Sequence, residues 1–337
     1  LRRDWSSDVC SSDLDLDIII ANRGTNDVSV LYNSGNGLFP TRTNFQTGTT
    51  PRNGDGADFD GDGDFDICTS DYIGLTVTVL ENDGTGSFAI LAQYPMITPA
   101  FLWVDDIDND GHADILVLHW DGDATIPSQS PAKFTPLFNN GDGSFVEGSS
   151  SLIGIQPRCG GSADLNGDGL IDVVTANYGS QTLSIVMAVG PRQWADEVAI
   201  QLSGNPRYLV LADFDDDGDI DIAAVDKGEN NLWIFHNDGK ANFELVETSG
   251  TNNIPHSIDA GDIDQDGDID LIISHVGSAQ QLLFFNDGTG YFPDSQSVYM
   301  TAGPADIKMA DIDDDGDLDL VTANVNWADR GSSVLFQ

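Results

Sequence analysis

The 337-residue chain carries 56 Asp and Glu against 13 Lys and Arg, a formal net charge of −43. That balance excludes nucleic acid and anionic membrane surfaces as partners, since both would repel it. An apolar fraction of 40% suits a globular protein with a sizeable core, and no stretch reaches the ~18–20 apolar residues of a transmembrane helix.

The segment from Asp4 to Leu14, DWSSDVCSSDL, looks like the translation of a sequencing-adapter oligonucleotide. Residues 1–14 are therefore set apart from the fold, and with them Cys10. They show no basic, apolar and small-residue succession of a secretory signal. The fold is expected over 15–337. It opens on Asp15-Leu-Asp17-Ile-Ile-Ile-Ala-Asn22, which matches the tail of a pattern that recurs downstream. A first loop is thus expected to be cut away, with any native signal peptide further upstream.

That pattern is nine residues long: Asp, apolar, Asp or Asn, x, Asp, Gly, x, apolar, Asp. It occurs six times, from Asp58 to Asp66, Asp106 to Asp114, Asp164 to Asp172, Asp213 to Asp221, Asp262 to Asp270 and Asp311 to Asp319. Oxygen donors at positions 1, 3 and 5, a Gly at 6 and a backbone carbonyl at 7 follow the first half of an EF-hand-type calcium loop. The closing carboxylate comes at position 9, which makes a short loop between strands. The expected ligands are Asp58, Asp60, Asp62, Asp64 and Asp66 in the first loop, and Asp106, Asp108, Asp110, His112 and Asp114 in the second. Asp164, Asn166, Asp168, Leu170 and Asp172 form the third, and Asp213, Asp215, Asp217, Asp219 and Asp221 the fourth. Asp262, Asp264, Asp266, Asp268 and Asp270 make the fifth; Asp311, Asp313, Asp315, Asp317 and Asp319 make the sixth. Position 7 varies from Asp to His to Leu, as expected of a residue that offers only its carbonyl. Positions 2 and 8 are always apolar and should anchor the loop to a core. The loops hold 29 of the 56 acids, so about six structural Ca²⁺ ions would explain half the charge. The loop at Asp164 has three acids and is expected to bind most weakly.

Closing aspartates, counting Asp17, are spaced by 49, 48, 58, 49, 49 and 49 residues, and a Pro precedes each complete loop by seven residues, from Pro51 to Pro304. Each unit reads as four short β-branched and aromatic runs bounded by Gly, Asn and Asp, which is strand grammar. An Asn-rich turn at Asn33, Asn82, Asn140, Asn237 or Asn286 precedes an aromatic. A period near 50 with four antiparallel strands predicts an all-β propeller of about seven four-stranded blades, the first and last incomplete. Cys68 and Cys159 suggest neither a disulfide framework nor a zinc site, and Cys68 reads as a buried free thiol.

These units resemble the FG-GAP or VCBS repeats of bacterial secreted proteins, themselves similar to the calcium-binding blades of the integrin α-subunit propeller. The resemblance covers 15–337, with one departure: Ala188-Val-Gly-Pro-Arg192 replaces the Asn-Asp-Gly turn of the fourth unit. It implies a secreted or cell-surface, calcium-stabilised propeller serving in adhesion or ligand binding.

Loops from strand two to three and between blades should form a ligand face away from the metal loops. Five residues past each closing Asp stand, among others, Asp71, His119, Asn177, Asp226 and His275, each followed by a residue such as Tyr72, Trp120, Tyr178 or Lys227. After the repeat prolines stand Arg52, Arg158, Arg207 and His256. Scarce cations gathered on one face suggest a mouth for carboxylate or sulfate, as on an acidic glycan or an extracellular protein; the alternative is that they bond neighbouring blades. The third unit carries nine extra residues around Trp120–Pro131, expected to cap the channel. No Gly-x-Ser-x-Gly, HExxH or phosphate-cradling loop is present. The remaining alternative is a carbohydrate lyase or dehydratase using His119, Tyr178, Arg158 and Arg207.

Overall fold

A computed structural model describes residues 15–120, 132–276, 278–300, 303–325 and 330–336. Every element among them is a β-strand, and no helix there is long and apolar enough to cross a membrane. The strands form seven antiparallel blade sheets in chain order. Blade 1 comprises Ile18–Asn22, Asp27–Tyr32 and Thr41–Gln46. Blade 2 comprises Pro51–Ala57, Asp66–Asp71, Thr76–Asn82 and Phe88–Pro95. Blade 3 runs Pro99–Asp105, Asp114–His119 and Ala132–Asn139; its fourth place is shared by Phe145–Glu147 and Ser151–Ile153, both paired with Ala132–Asn139. Blade 4 holds Pro157–Ala163, Asp172–Asn177, Thr182–Val186 and Val198–Gln201. Blade 5 holds Pro206–Ala212, Asp221–Asp226, Asn231–Asn237 and Phe243–Gly250. Blade 6 holds Pro255–Gly261, Asp270–His275, Gln280–Phe285 and Asp294–Tyr299. Blade 7 holds Pro304–Ala310, Asp319–Val325 and Arg330–Leu335. This is the β-propeller fold class, with three strands each in the first and last blades.

The third-to-fourth hairpin of blade 4 forms, with Thr182–Val186 paired to Val198–Gln201. Its irregular sequence makes an excursion, a two-stranded ribbon of Ala188–Gly190 and Gln193–Trp194. The turn asparagine of blade 3 is Asn139, one residue before the Asn140 expected from sequence, because Asn139 is the residue in register with the closing Asp114.

Burial follows the place of each strand in its sheet. Second strands such as Asp221–Asp226 are buried throughout, while fourth strands such as Val198–Gln201 are almost wholly exposed. Central strands thus read as continuous apolar runs and outer strands as polar ones that discourage edge pairing. The chain falls into two compact units. One holds residues up to Pro157 with Val189–Asp196 and Ile312–Asp315; the other holds Arg158–Ala188, Glu197–Asp311 and the chain from Gly316. In the first, Phe59, Val77, Leu102, Ile115 and Leu137 share a core; in the second, Phe214, Val225, Ile234, Ile258 and Phe292 do. Cys68 and Cys159 are buried free thiols.

Every repeat proline begins an innermost strand and is buried. The ladder slips directly after it in blades 3, 5, 6 and 7: Pro206 pairs with Asp226, but Tyr208 pairs with Val225. The residue following the proline is therefore an extra, unpaired one. A β-bulge of this kind bends the strand and re-aims its side chain. Ala100, Arg207, His256 and Ala305 all sit at such bulges.

Candidate metal loops and a cationic cluster

All six nine-residue loops share one local geometry. The amide of the Gly at position 6 donates to the first aspartate: Gly63 to Asp58 at 3.1 Å, Gly111 to Asp106 at 2.9 Å, Gly169 to Asp164 at 2.8 Å. Gly218, Gly267 and Gly316 repeat it with Asp213, Asp262 and Asp311. Position 6 is left-handed, as at Gly218 with φ of 93°, where a Cβ would meet nothing within 4 Å. Backbone conformation, not space, demands glycine there. Position 4 is left-handed too, from Gly61 at 77° to Gln265 at 62°.

The residues at position 2, Phe59, Ile107, Leu165, Phe214, Ile263 and Ile312, are buried and root each loop in the core. Position 8 is half-buried in every copy. The closing aspartates are buried and held by backbone amides. Asp221 accepts from Phe214 at 3.0 Å and Asn237 at 2.8 Å; Asp66, Asp172 and Asp270 repeat the arrangement. Burial, with repulsion from loop neighbours, pushes Asp66 and Asp114 up to about 7, and Asp172, Asp221 and Asp270 up to about 6.

Several acidic clusters bring their donors together as a metal requires. Within 4.8 Å of one another lie donors of Asp58, Asp60 and Asp62; of Asp106, Asp108 and Asp114; of Asp213, Asp215 and Asp217; and of Asp262, Asp264 and Asp270. Oδ1 of Asp108 and of Asp215 is buried with no hydrogen-bond partner, a cost that a cation would remove. The residues present fit a hard cation, which would neutralise their crowding. His236 is an addition not read from the sequence. Its Nδ1 lies 3.2 Å from Asp215, and it joins Asp215 and Asp221 in a further cluster.

Of the residues five places past the closing aspartates, Asp71, His119, Asn177, Asp226 and His275 are buried. Across the ladder Pro51 pairs with Asp71, Pro99 with His119 and Pro255 with His275. Asp71 accepts from Thr69, Thr76 and Thr78. Asp226 accepts from the amides of Asn205, Gly228 and Glu229. His119 holds Ile97 O through Nδ1 and Thr135 through Nε2, and burial depresses it to about 4. His275 is fully buried and likewise depressed to about 4.

The cations behave differently. In the first unit, Arg52 lies between two rings, 4.2 Å from the centroid of Tyr72 and 4.4 Å from that of Trp120. Arg23 is exposed. The insertion beyond Trp120 lies outside the described residues. In the second unit, Arg158 stands 5.2 Å from the Tyr178 ring. Arg207 donates through Nη2 to Nε2 of His256, whose Nδ1–H donates to Ala305 O at 2.6 Å. That imidazole is neutral, held at about 3 by burial and by Arg207. Arg207 is itself depressed, by burial and then by Arg158; Lys227 is depressed by burial, then by Arg207 and Arg158. Among the described residues, neither Arg207 nor Lys227 has a carboxylate partner.

A repeat β-propeller with an acidic loop in six of its seven blades is the class these features define. The chain matches the FG-GAP-like repeat over residues 11–69, 164–224, 213–273 and 264–322, more than half its length, and it belongs to that family. No curated protein matches it. Among solved structures it is similar to an Agrocybe aegerita lectin studied for its recognition of non-reducing terminal N-acetylglucosamine. That match has 17% identity and a TM-score of 0.53, covering 87% of this chain and 84% of that one. The periplasmic gluconolactonase of Pseudomonas aeruginosa aligns at 15% identity and a TM-score of 0.62, over 92% and 88%. A functionally unknown protein from Desulfotomaculum acetoxidans aligns at 14% and 0.64, over 91% and 88%. At these identities the likeness concerns the fold.

Proposed function

We propose that this chain is a secreted or cell-surface propeller, stabilised by Ca²⁺ at its six acidic loops, that binds an acidic ligand, an acidic glycan in the first instance, at Arg158, Arg207 and Lys227. One observation carries the ligand reading. On a chain of net charge −43, Arg207 and Lys227 are depressed by burial and then by neighbouring cations, and Arg207 donates to a neutral imidazole in place of a carboxylate. Half-buried cations such as Arg207 and Lys227, which have no carboxylate partner among the described residues, are unfavourable in the free protein. A bound carboxylate or sulfate would supply that counter-charge, and a guanidinium suits either by paired donation. Calcium is the ion favoured by the loops because the side-chain donors at positions 1, 3, 5 and 9 are all hard oxygens.

The test is calorimetric titration with uronate-containing and sulfated oligosaccharides, beside neutral ones of equal length. Binding of the acidic sugars alone, lost in Arg207→Ala and kept in Lys240→Ala, is expected. Equal affinity for neutral sugars would overturn the anion reading. Turnover of an acidic sugar without lasting binding would favour the carbohydrate-active enzyme.

A further inference from the structure

The loop Asp106–Asp114 differs from those at Asp58, Asp164 and Asp213 in what reaches into it. In blades 3, 5 and 6 the turn asparagine donates its side-chain amide to the position-2 carbonyl of a metal loop: Asn139 to Phe59 at 2.9 Å, Asn237 to Leu165 and Asn286 to Phe214 at 2.8 Å. Blade 4 has Ala188 at this place. Its backbone amide still donates to the closing Asp172 at 2.7 Å, but it has no side-chain amide to offer. The ribbon that follows turns at Arg192, with φ of 60°. Trp194 seats that ribbon in the first unit, 5.5 Å from the Phe134 ring and stacked on Phe138 at 6.1 Å. The Arg192 guanidinium lies 4.4 Å from the Phe138 ring centroid. From there its Nε donates to Asp108 and its Nη2 to Asp110 at 3.2 Å.

We infer that Arg192 is a built-in cation of the loop Asp106–Asp114, which braces the loop in place of the missing asparagine and competes there with the metal. The inference rests on the reading of these loops as calcium sites. Asp108 and Asp110 are the third- and fifth-position donors, and the Asp108 side chain is only 3% exposed. Any dication they hold shares them with a fixed guanidinium. Repulsion between a dication and a unit charge about 5 Å apart, even screened as in water, lowers affinity about tenfold. This loop therefore binds calcium more weakly than its four carboxylates alone would set.

Calcium binding to the intact chain, followed by calorimetry with native mass spectrometry for the count of ions, tests this in the wild type, Arg192→Gln and Arg192→Met. Methionine keeps an apolar stem against Phe138 without the charge. In both variants one step should tighten about tenfold, or one more ion should bind. Adding Asp108→Asn to Arg192→Met should abolish that gain, which assigns it to this loop. Calcium bound by the wild type with affinities and count unchanged or weakened in both variants would overturn the inference alone. So would failure of both variants to fold in saturating calcium, since Arg192 would then be a strut only. Absence of calcium binding in every form would overturn the calcium reading and this inference with it.

Discussion

The side-chain amide of Asn237 donates at 2.8 Å to the carbonyl of Leu165, 72 residues earlier. The same residue gives its backbone amide to the closing Asp221 of its own blade. One side chain thus ties two acidic loops of the second unit, and Asn286 repeats the device with Phe214 and Asp270. Removing the amide leaves a buried carbonyl without that donor. Asn237→Ala is expected to destabilise by about 1–3 kcal/mol, read from denaturant unfolding in saturating calcium. A change within experimental error would show that the link contributes nothing.

Metal removal is the broadest test. Each loop packs three to six acids into nine residues, and an ion bound only by the native state stabilises by linkage. Melting should fall by many degrees in chelator and recover with Ca²⁺ better than with Mg²⁺, which prefers a tighter octahedron. On stepwise calcium withdrawal, Asp213–Asp221 and Asp311–Asp319, with six acids each, should empty last. The three-acid loop at Asp164 and the arginine-crossed loop at Asp106 should empty first. An unchanged melting temperature in chelator would defeat the structural role of the metal.

The closing aspartates predict opposite pH slopes with and without calcium. In chelator, Asp66, Asp114, Asp172, Asp221 and Asp270 titrate at about 6 to 7, above their ordinary 3.8. The native state then takes up protons that the unfolded chain does not, so stability rises as pH falls from about 7 towards 4. His119, His256 and His275, depressed to about 4, 3 and 4, act in the opposite sense below their ordinary 6.5, but they are three against five. In excess calcium, protons compete with the ion for the same carboxylates, and stability should fall over the same range. Unfolding curves at pH 7.5 and 5 in both conditions decide it; slopes of one sign would refute the assignment.

At the cationic cluster, Arg207→Ala should weaken binding of a sulfated or uronate oligosaccharide at least tenfold, and the loss should shrink as salt rises. Arg207→Lys should restore little, because a point charge cannot replace the planar fork that also reaches His256. If both variants bind normally yet unfold earlier, Arg207 is a strut between Pro206–Ala212 and Pro255–Gly261. In the other unit Trp120→Ala should loosen Arg52, which it covers; weaker sugar binding with little salt dependence would identify Trp120 and Tyr72 as a stacking platform.

Much of the architecture was legible because the repeat states it six times. The acidic loops, the prolines that open the innermost strands and the four-strand rhythm are local patterns, and local patterns survive in a string of letters. Contacts made across the fold were less so. Two asparagines adjoin at Asn139 and Asn140, and only pairing with Asp114 distinguishes them. The left-handed position 4 is hidden by residues as unlike as Gly61, Asp216 and Gln265. Arg192 lies 84 residues from the carboxylate it meets, so its role had no signature beyond the broken turn motif. His119 and His275 looked like ligand groups as letters at strand ends, whereas the ladder sets them opposite buried prolines.

The slip after the repeat prolines of blades 3, 5, 6 and 7 has a consequence for how such a chain can diversify. A side chain at a bulge belongs to no ladder pair, so exchanging it leaves the backbone ladder in place. Ala100, Arg207, His256 and Ala305 occupy such places, and they already range from a methyl group to a guanidinium. Side-chain chemistry at these places can therefore drift one blade at a time while the acidic loops stay constant. A library randomised at these positions alone should yield folded proteins with altered charge preference far more often than one randomised at the neighbouring Tyr208, Ser257 or Phe101, which stand in the ladder itself.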